Sequence, residues 1–216
     1  PVAAVILGVL LGAALGLING ALVNVTGLHS FIITLGTQAI FRGATLIVSN
    51  SSAVFGFPAS FTKSISASVL GIPVIAIVAI IVALILAFLT IKTKLGRNIY
   101  ALGGNKESAW YSGINVKLHT LIVFIISGLC AGIAGIVLLG RVGSAEPAAA
   151  TGFETYAIAA AIIGGTSFFG GKGKIHGVVV GGLIIGVINY GMNILSLSST
   201  LQQVVMGALI IGSVAL

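Results

Sequence analysis

Groups able to act as nucleophile, acid or base are scarce in this chain of 216 residues. Its side-chain carboxylates are Glu107, Glu146 and Glu154, it has no aspartate, and His29, His119 and His176 stand far apart near the ends of apolar segments. Nucleophilic catalysis needs a hydroxyl or thiol beside a base that a third group orients. No such set can be assembled, and no H-E-x-x-H pair is present. The single cysteine, Cys130, lies inside an apolar run, which leaves neither a disulfide nor a thiolate metal site and makes it a packing residue. The reading is a protein that is not an enzyme, with no metal and no cofactor of its own.

One stretch invites a phosphate-binding reading. GGTSFFGGKGKIHG, from Gly164 to Gly177, is rich in glycine and lysine. The pattern G-x-x-x-x-G-K-[ST] would place Gly at 166 and Ser or Thr at 173, where this chain has Thr166 and Gly173, and G-x-G-x-x-G fails at His176. The glycines read instead as a tight turn between apolar segments. ATP, if used, is bound by another chain.

Among the polar residues set inside apolar runs, Thr34, Thr37, Gln38, Arg42, Asn189, Asn193 and Gln202 carry the interest, because polar groups in hydrocarbon are costly. Each alone reads first as interhelical bonding. As a set, the hydroxyls and amides of Thr34, Thr37, Gln38, Asn189 and Asn193 suit a path for a neutral polyhydroxy solute. The lack of intramembrane acids argues against a proton relay or a cation pathway. Arg42 is expected near the outer end of its span, where it can snorkel or meet a backbone terminus.

The elements that must position these groups follow from hydropathy. Hydrophobic residues make up 58% and charged residues 6% of the chain, against about 25% charged in soluble domains. Spans are expected near residues 2–23, 30–48, 73–91, 118–139, 155–168, 176–194 and 200–216, most of them near the length that crosses a hydrocarbon core. The fifth is short and ends in glycines, as a broken or re-entrant helix would. The chain starts and stops within apolar sequence, so it reads as a fragment of a longer protein. The formal charge of +7 does not suggest nucleic acid, since the basic residues are scattered between spans. Lys92, Lys94, Arg97, Lys106 and Lys117 are half of the ten and fall in one polar island. Retention of such loops on the cytoplasmic side orients the chain, and alternation then places Lys172 and Lys174 inside and Lys63, Arg141, Glu146 and Glu154 outside.

Glycine spacing predicts close helix packing. Gly8, Gly12, Gly16 and Gly20 share one face, Gly128, Gly132 and Gly135 a second, and Gly177, Gly181, Gly182 and Gly186 a third. Within the island, Asn105 can cap a short helix with Glu107 and Ser108 in its first turn, ending near Gly113. Trp110, Tyr111 and Ile114 would gather on one side. Such a helix either lies on the membrane or enters a groove on a partner; without a long basic face, the partner is favoured.

FIITLGT at Phe31–Thr37, Arg42-Gly43, LGRNIYALGGNKESAWYSGINV at Leu95–Val116 and the block from Gly140 to Gly177 together resemble the membrane permeases of bacterial ATP-binding cassette importers for monosaccharides, of the ribose and methyl-galactoside type. The resemblance covers nearly the whole chain. It implies an all-α polytopic transmembrane bundle of about ten spans, about seven of them present here, forming one permease domain over 1–216 in the bacterial inner membrane. Residues 92–117 would be its cytoplasmic coupling loop. Gly103, Gly104, Asn105, Glu107, Ser108, Ala109 and Gly113 then map onto the helix that sits in a cleft of the ATP-hydrolysing subunit. Here the two small residues after Glu107 are followed by bulky Trp110 and Tyr111. Implied partners are that ATPase, which binds ATP and Mg, a periplasmic sugar-binding protein, a second permease copy and the bilayer. The alternatives are a related permease for branched-chain amino acids or nucleosides, and a transporter that works without ATP. VINYGMN, Val187–Asn193, leans toward the galactoside branch.

Overall fold

Inside a bilayer every backbone N–H and C=O must be bonded within the protein, so apolar runs of this length have to fold as helices. The computed structural model describes residues 2–215, and of residues 199 and 213–215 the backbone alone. It is an all-α polytopic membrane bundle. Among the described residues, five helices are long and apolar enough to cross a membrane: α1 (Val2–Thr26), α2 (Ser30–Val48), α4 (Val74–Lys92), α7 (Val116–Val142) and α9 (Ile175–Ile194). Between them lie the short α3 (Ala59–Ser66), α5 (Lys94–Gly104) and α6 (Lys106–Tyr111), and a small hairpin of β1 (Ser68–Val69) and β2 (Ile72–Pro73).

The two remaining expected spans are shorter. α8 (Phe153–Ile163) has 11 residues and is about 16 Å long, half of the ~30 Å hydrocarbon core. It stops before the expected end at 168 because Gly164 caps it and Gly165 takes a left-handed φ of 81°. α10 (Ser199–Ala215) has 17 residues. The seven expected crossings are thus five full-length helices and two shorter ones.

By contacts the chain divides into two compact units, one running to Val82 with Asn115–Ala149, the other Ala83–Ile114 with Ala150 onward. In the first unit α1 and α7 run antiparallel along their glycines. A Cβ on Gly12 would strike Gly128 O and stand 3.0 Å from Gly132 Cα; one on Gly16 would strike Phe124 O. Lipid tails are as apolar as leucine, so these helices gain little from burying side chains against each other and instead bring backbones together. Gly8 and Gly20 continue the seam, against Ile136 and Leu121. Gly135 does not belong to it, having no atom within 4 Å of its would-be Cβ. Asn24 Nδ2, near the end of α1, donates to Lys117 O at 2.8 Å. At the opposite end of α7, Val54 and Ala145 exchange backbone hydrogen bonds of 2.9 Å.

In the second unit Ala159, Ala160, Ile185, Met192 and Met206 make the core of α8, α9 and α10. Gly177 and Gly181 let α9 approach the end of α8, where a Cβ would strike Gly164 O or Ala160 O. Gly182 and Gly186 have open space instead, which corrects their expected place on that face. Helical period explains it: residues 182 and 186 are turned about 100° from 181 and 185.

Candidate coupling surface and polar residues of the spans

The basic island is two helices rather than one loop with a single helix. Thr93 begins α5, its Oγ1 accepting from Gly96 N at 3.2 Å. Leu95, Ile99 and Leu102 recur at i, i+4 and i+7 and are partly buried, while Lys94 and Arg97 point to solvent. Gly96 is buried where the chain doubles back on α4, and a Cβ there would strike Thr90 O. α5 was not expected; the Thr93 cap and the Leu-Ile-Leu period signal it, but Gly96, Gly103 and Gly104 lower the helix propensity of the stretch.

Asn105 closes α5 and opens α6. Its Oδ1 accepts from Ser108 N at 2.8 Å, with Glu107 in the first turn, as the sequence pattern predicts. At the far end Ser112 N donates to Ser108 O at 3.1 Å, Ile114 N to Ala109 O at 3.1 Å, and Gly113 supplies the left-handed φ of 78°. A helix of six residues has no stability of its own, so these end bonds and the buried Ala109 define it. Ala109 is 3% exposed, whereas Trp110 and Tyr111 are 62% and 73% exposed and meet edge to face at 4.9 Å. Ile114, expected beside them, is half-buried. α6 thus turns one small residue inward and presents Glu107, Ser108 and an aromatic pair outward.

The island is fastened to the glycine-rich turn between α8 and α9. A Cβ on Gly103 would lie 2.6 Å from Gly171 N, and one on Gly171 would lie 2.7 Å from Gly104 Cα. Tyr100 Oη donates to Gly173 O at 2.8 Å. Gly170 and Gly171, at φ of 91° and 72°, form the other side of the contact. Gly103 and Gly104 therefore carry a backbone-to-backbone contact, and Lys172 and Lys174 share an end of this unit with the island.

The polar residues of the spans divide between the two units, Thr34, Thr37, Gln38 and Arg42 in the first and Asn189, Asn193 and Gln202 in the second. Thr34 Oγ1 donates to Ser30 O at 3.0 Å and Thr37 Oγ1 to Ile33 O at 3.1 Å, each one turn back along α2. Thr37 is buried, and Gln38 is exposed. Arg42 Nη1 donates to Pro147 O and Ala149 O at 3.2 Å each, meeting a backbone segment as expected. In the second unit Asn193 Oδ1 accepts from Gln202 Nε2 at 3.2 Å, joining α9 to α10, and Asn189 is half-buried. Asn19, in α1, went unnoticed in the hydropathy pattern, yet its Oδ1 is buried without a partner. His29 accepts from Phe31 N at 3.3 Å at the start of α2, an end role like that expected of all three histidines. Cys130 is half-buried within α7.

Residues 1–214 match the family of branched-chain amino acid transport system permease components. The chain belongs to that family. Within it, this permease component is 67% identical over 99% of its length to the D-allose transport system permease protein of Escherichia coli, covering 66% of that protein. It is 42% identical, over its full length, to the ribose import permease protein of Bacillus subtilis, covering 68% of it. With the galactose/methyl galactoside import permease protein of E. coli it shares 38% identity over its full length and 67% of the relative. The chain thus spans about two thirds of the length of these curated relatives. No solved structure matches it.

Proposed function

We propose that the protein is the membrane-spanning permease of an ATP-binding cassette importer in a bacterial inner membrane, carrying a simple sugar. The observation that carries this reading is α6, a doubly capped helix of six residues with one alanine inward and Glu107, Trp110 and Tyr111 outward. A surface of that size gains stability from a partner groove. The three relatives are named for allose, ribose and galactose, so an aldose is favoured over a branched-chain amino acid, although the family description names the latter.

In this reading a separate subunit binds ATP and Mg, and its cleft receives α6. Asn105, Glu107, Ser108, Ala109 and Gly113 form the contact, and Gly103 and Gly104 pass it to the turn at Gly170–Gly171. A periplasmic binding protein delivers the sugar, and a second permease copy completes the pore. A passive pore cannot concentrate a solute, so work must enter through different binding of the ATP-bound and ATP-free partner. Thr34, Thr37, Gln38, Asn189 and Asn193 are the proposed path residues. Their neutral hydroxyls and amides match the hydrogen-bonding groups of a sugar.

The test uses the full-length protein with its ATPase and binding protein. Labelled allose, ribose and galactose are offered to cells, with an active or an ATPase-dead partner. Accumulation of one sugar that disappears with the dead ATPase is expected; accumulation that survives it points to a secondary carrier and overturns the reading. Glu107→Lys and Gly113→Trp should each abolish sugar-stimulated ATP hydrolysis in the purified complex while insertion persists, and intact coupling in both would remove α6 from the contact.

A further inference from the structure

The start of α9 carries two positive side chains. Lys172 and Lys174, with His176 beside them, lie within five residues where the unpaired N–H groups of a helix concentrate partial positive charge. No acidic residue stands in the first turn, and Lys174, in the capping position, makes no side-chain cap bond. These three residues and Tyr100 line a cavity of about 590 Å³ whose remaining walls are glycines of the turn and of α9. Glycine walls leave backbone open to an approaching group. Lysines at a positive helix end favour an anion placed between them.

The surroundings indicate where that anion comes from. α9 is one of the helices long enough to cross the membrane, so its first residues lie at the membrane boundary. Just before the lysines, Phe168 and Phe169 are 60% and 89% exposed and stand perpendicular at 6.0 Å. An exposed aromatic pair beside basic residues is the combination that settles at a headgroup interface. We propose that this cavity binds the phosphate of an anionic phospholipid headgroup, with Lys172 and Lys174 as its charge partners and Phe168 and Phe169 in the acyl boundary. The site would hold the turn between α8 and α9, and with it the Gly103–Gly171 contact, at a fixed depth. It is independent of which solute is carried.

The test is made on the full-length protein in nanodiscs of phosphatidylcholine with and without phosphatidylglycerol, reading the lipids retained after delipidation by native mass spectrometry. The wild-type protein should retain phosphatidylglycerol in preference to phosphatidylcholine. Lys172→Gln/Lys174→Gln should lower that preference about 30-fold, whereas Lys92→Gln/Lys94→Gln, an equal loss of charge in the island, should leave it. A parallel arm adds inorganic phosphate to protein in neutral detergent. If phosphate alone raises the unfolding temperature of the wild type as much as the lipid does, the source is soluble phosphate and the lipid assignment falls. No preference in the wild type, or an equal loss in both double variants, overturns the site; the first of these outcomes needs no variant to fold.

Discussion

Gly16→Ala should destabilise the protein while Gly135→Ala should not, although in sequence both residues belong to spaced glycine sets. A Cβ at Gly16 would strike Phe124 O and stand 3.2 Å from Gly128 Cα, whereas at Gly135 it meets nothing within 4 Å. Both neighbours at Gly16 are backbone, so α1 and α7 must part rather than rotate a side chain away. A gap of about 0.5–1 Å forfeits a quarter to a half of each contact of about 0.1–0.2 kcal/mol. Taking the middle of those ranges, roughly 20 to 40 atom pairs give about 1–2 kcal/mol, within the range known for overpacking. Replacing glycine by alanine in a helix returns about 0.5–1 kcal/mol at either site. The net expectation is a loss of up to about 1.5 kcal/mol at Gly16 and a gain of about 0.5–1 kcal/mol at Gly135. Equilibrium unfolding in mixed micelles with a denaturing detergent measures the difference. Gly12→Ala with Gly128→Ala should cost less than the sum of the singles, because once the helices have parted the second methyl finds room. Equal effects of Gly16→Ala and Gly135→Ala, or strict additivity in the Gly12–Gly128 pair, would refute the backbone seam.

Three further outcomes are expected. Replacing Asn105 with alanine removes the acceptor for Ser108 N and should cost about 1 kcal/mol of local stability, read as faster hydrogen exchange at Ser108 and Ala109 with α7 unchanged; slow exchange there would mean that the cap does not define α6. A double-mutant cycle of Asn193→Leu and Gln202→Leu should give a coupling of about 0.6 kcal/mol, and zero coupling would deny their hydrogen bond. In a Cys130→Ala background, Ser112→Cys and Lys172→Cys should react with an impermeant maleimide from the cytoplasmic side and Lys63→Cys from the outside; labelling of residues 112 and 172 from opposite sides would break the assigned topology.

Hydropathy made the spans legible because a bilayer allows few alternatives: α2 occupies residues 30–48 as expected, and α1, α4, α7 and α9 lie within a few residues of their expected bounds. α6 was legible for a local reason, since Asn105, Glu107 and Gly113 each act within one turn of their own position. α3 and the Ser68–Pro73 hairpin were not, because no period of 3.6 or 2 runs long enough to show in segments of eight and two residues. The proposed path residues were legible as residue types, not through their hydrogen bonds. Thr34 and Thr37 spend their hydroxyl protons on their own helix, and Asn193 is engaged by Gln202. A hydroxyl donating to its own backbone still has oxygen lone pairs for a solute, so this geometry leaves the Thr residues able to accept and not to donate.

The glycines mark the boundary of what a sequence can express. A leucine seam shows its partner through a complementary apolar stripe, but a glycine removes a side chain and says nothing about what fills the space. Gly128 and Gly135 look alike until Gly12 O is found against one and open space beside the other. The same holds for Gly103 and Gly171, 68 residues apart in sequence, whose contact consists of backbone on both sides. Tyr100 brings a side chain with a readable chemistry to that junction, and its hydrogen bond goes to a carbonyl that any residue would possess. Contacts made by backbone leave composition as their only trace, which is why the glycine content announced close packing while only the structure could say which glycines meet.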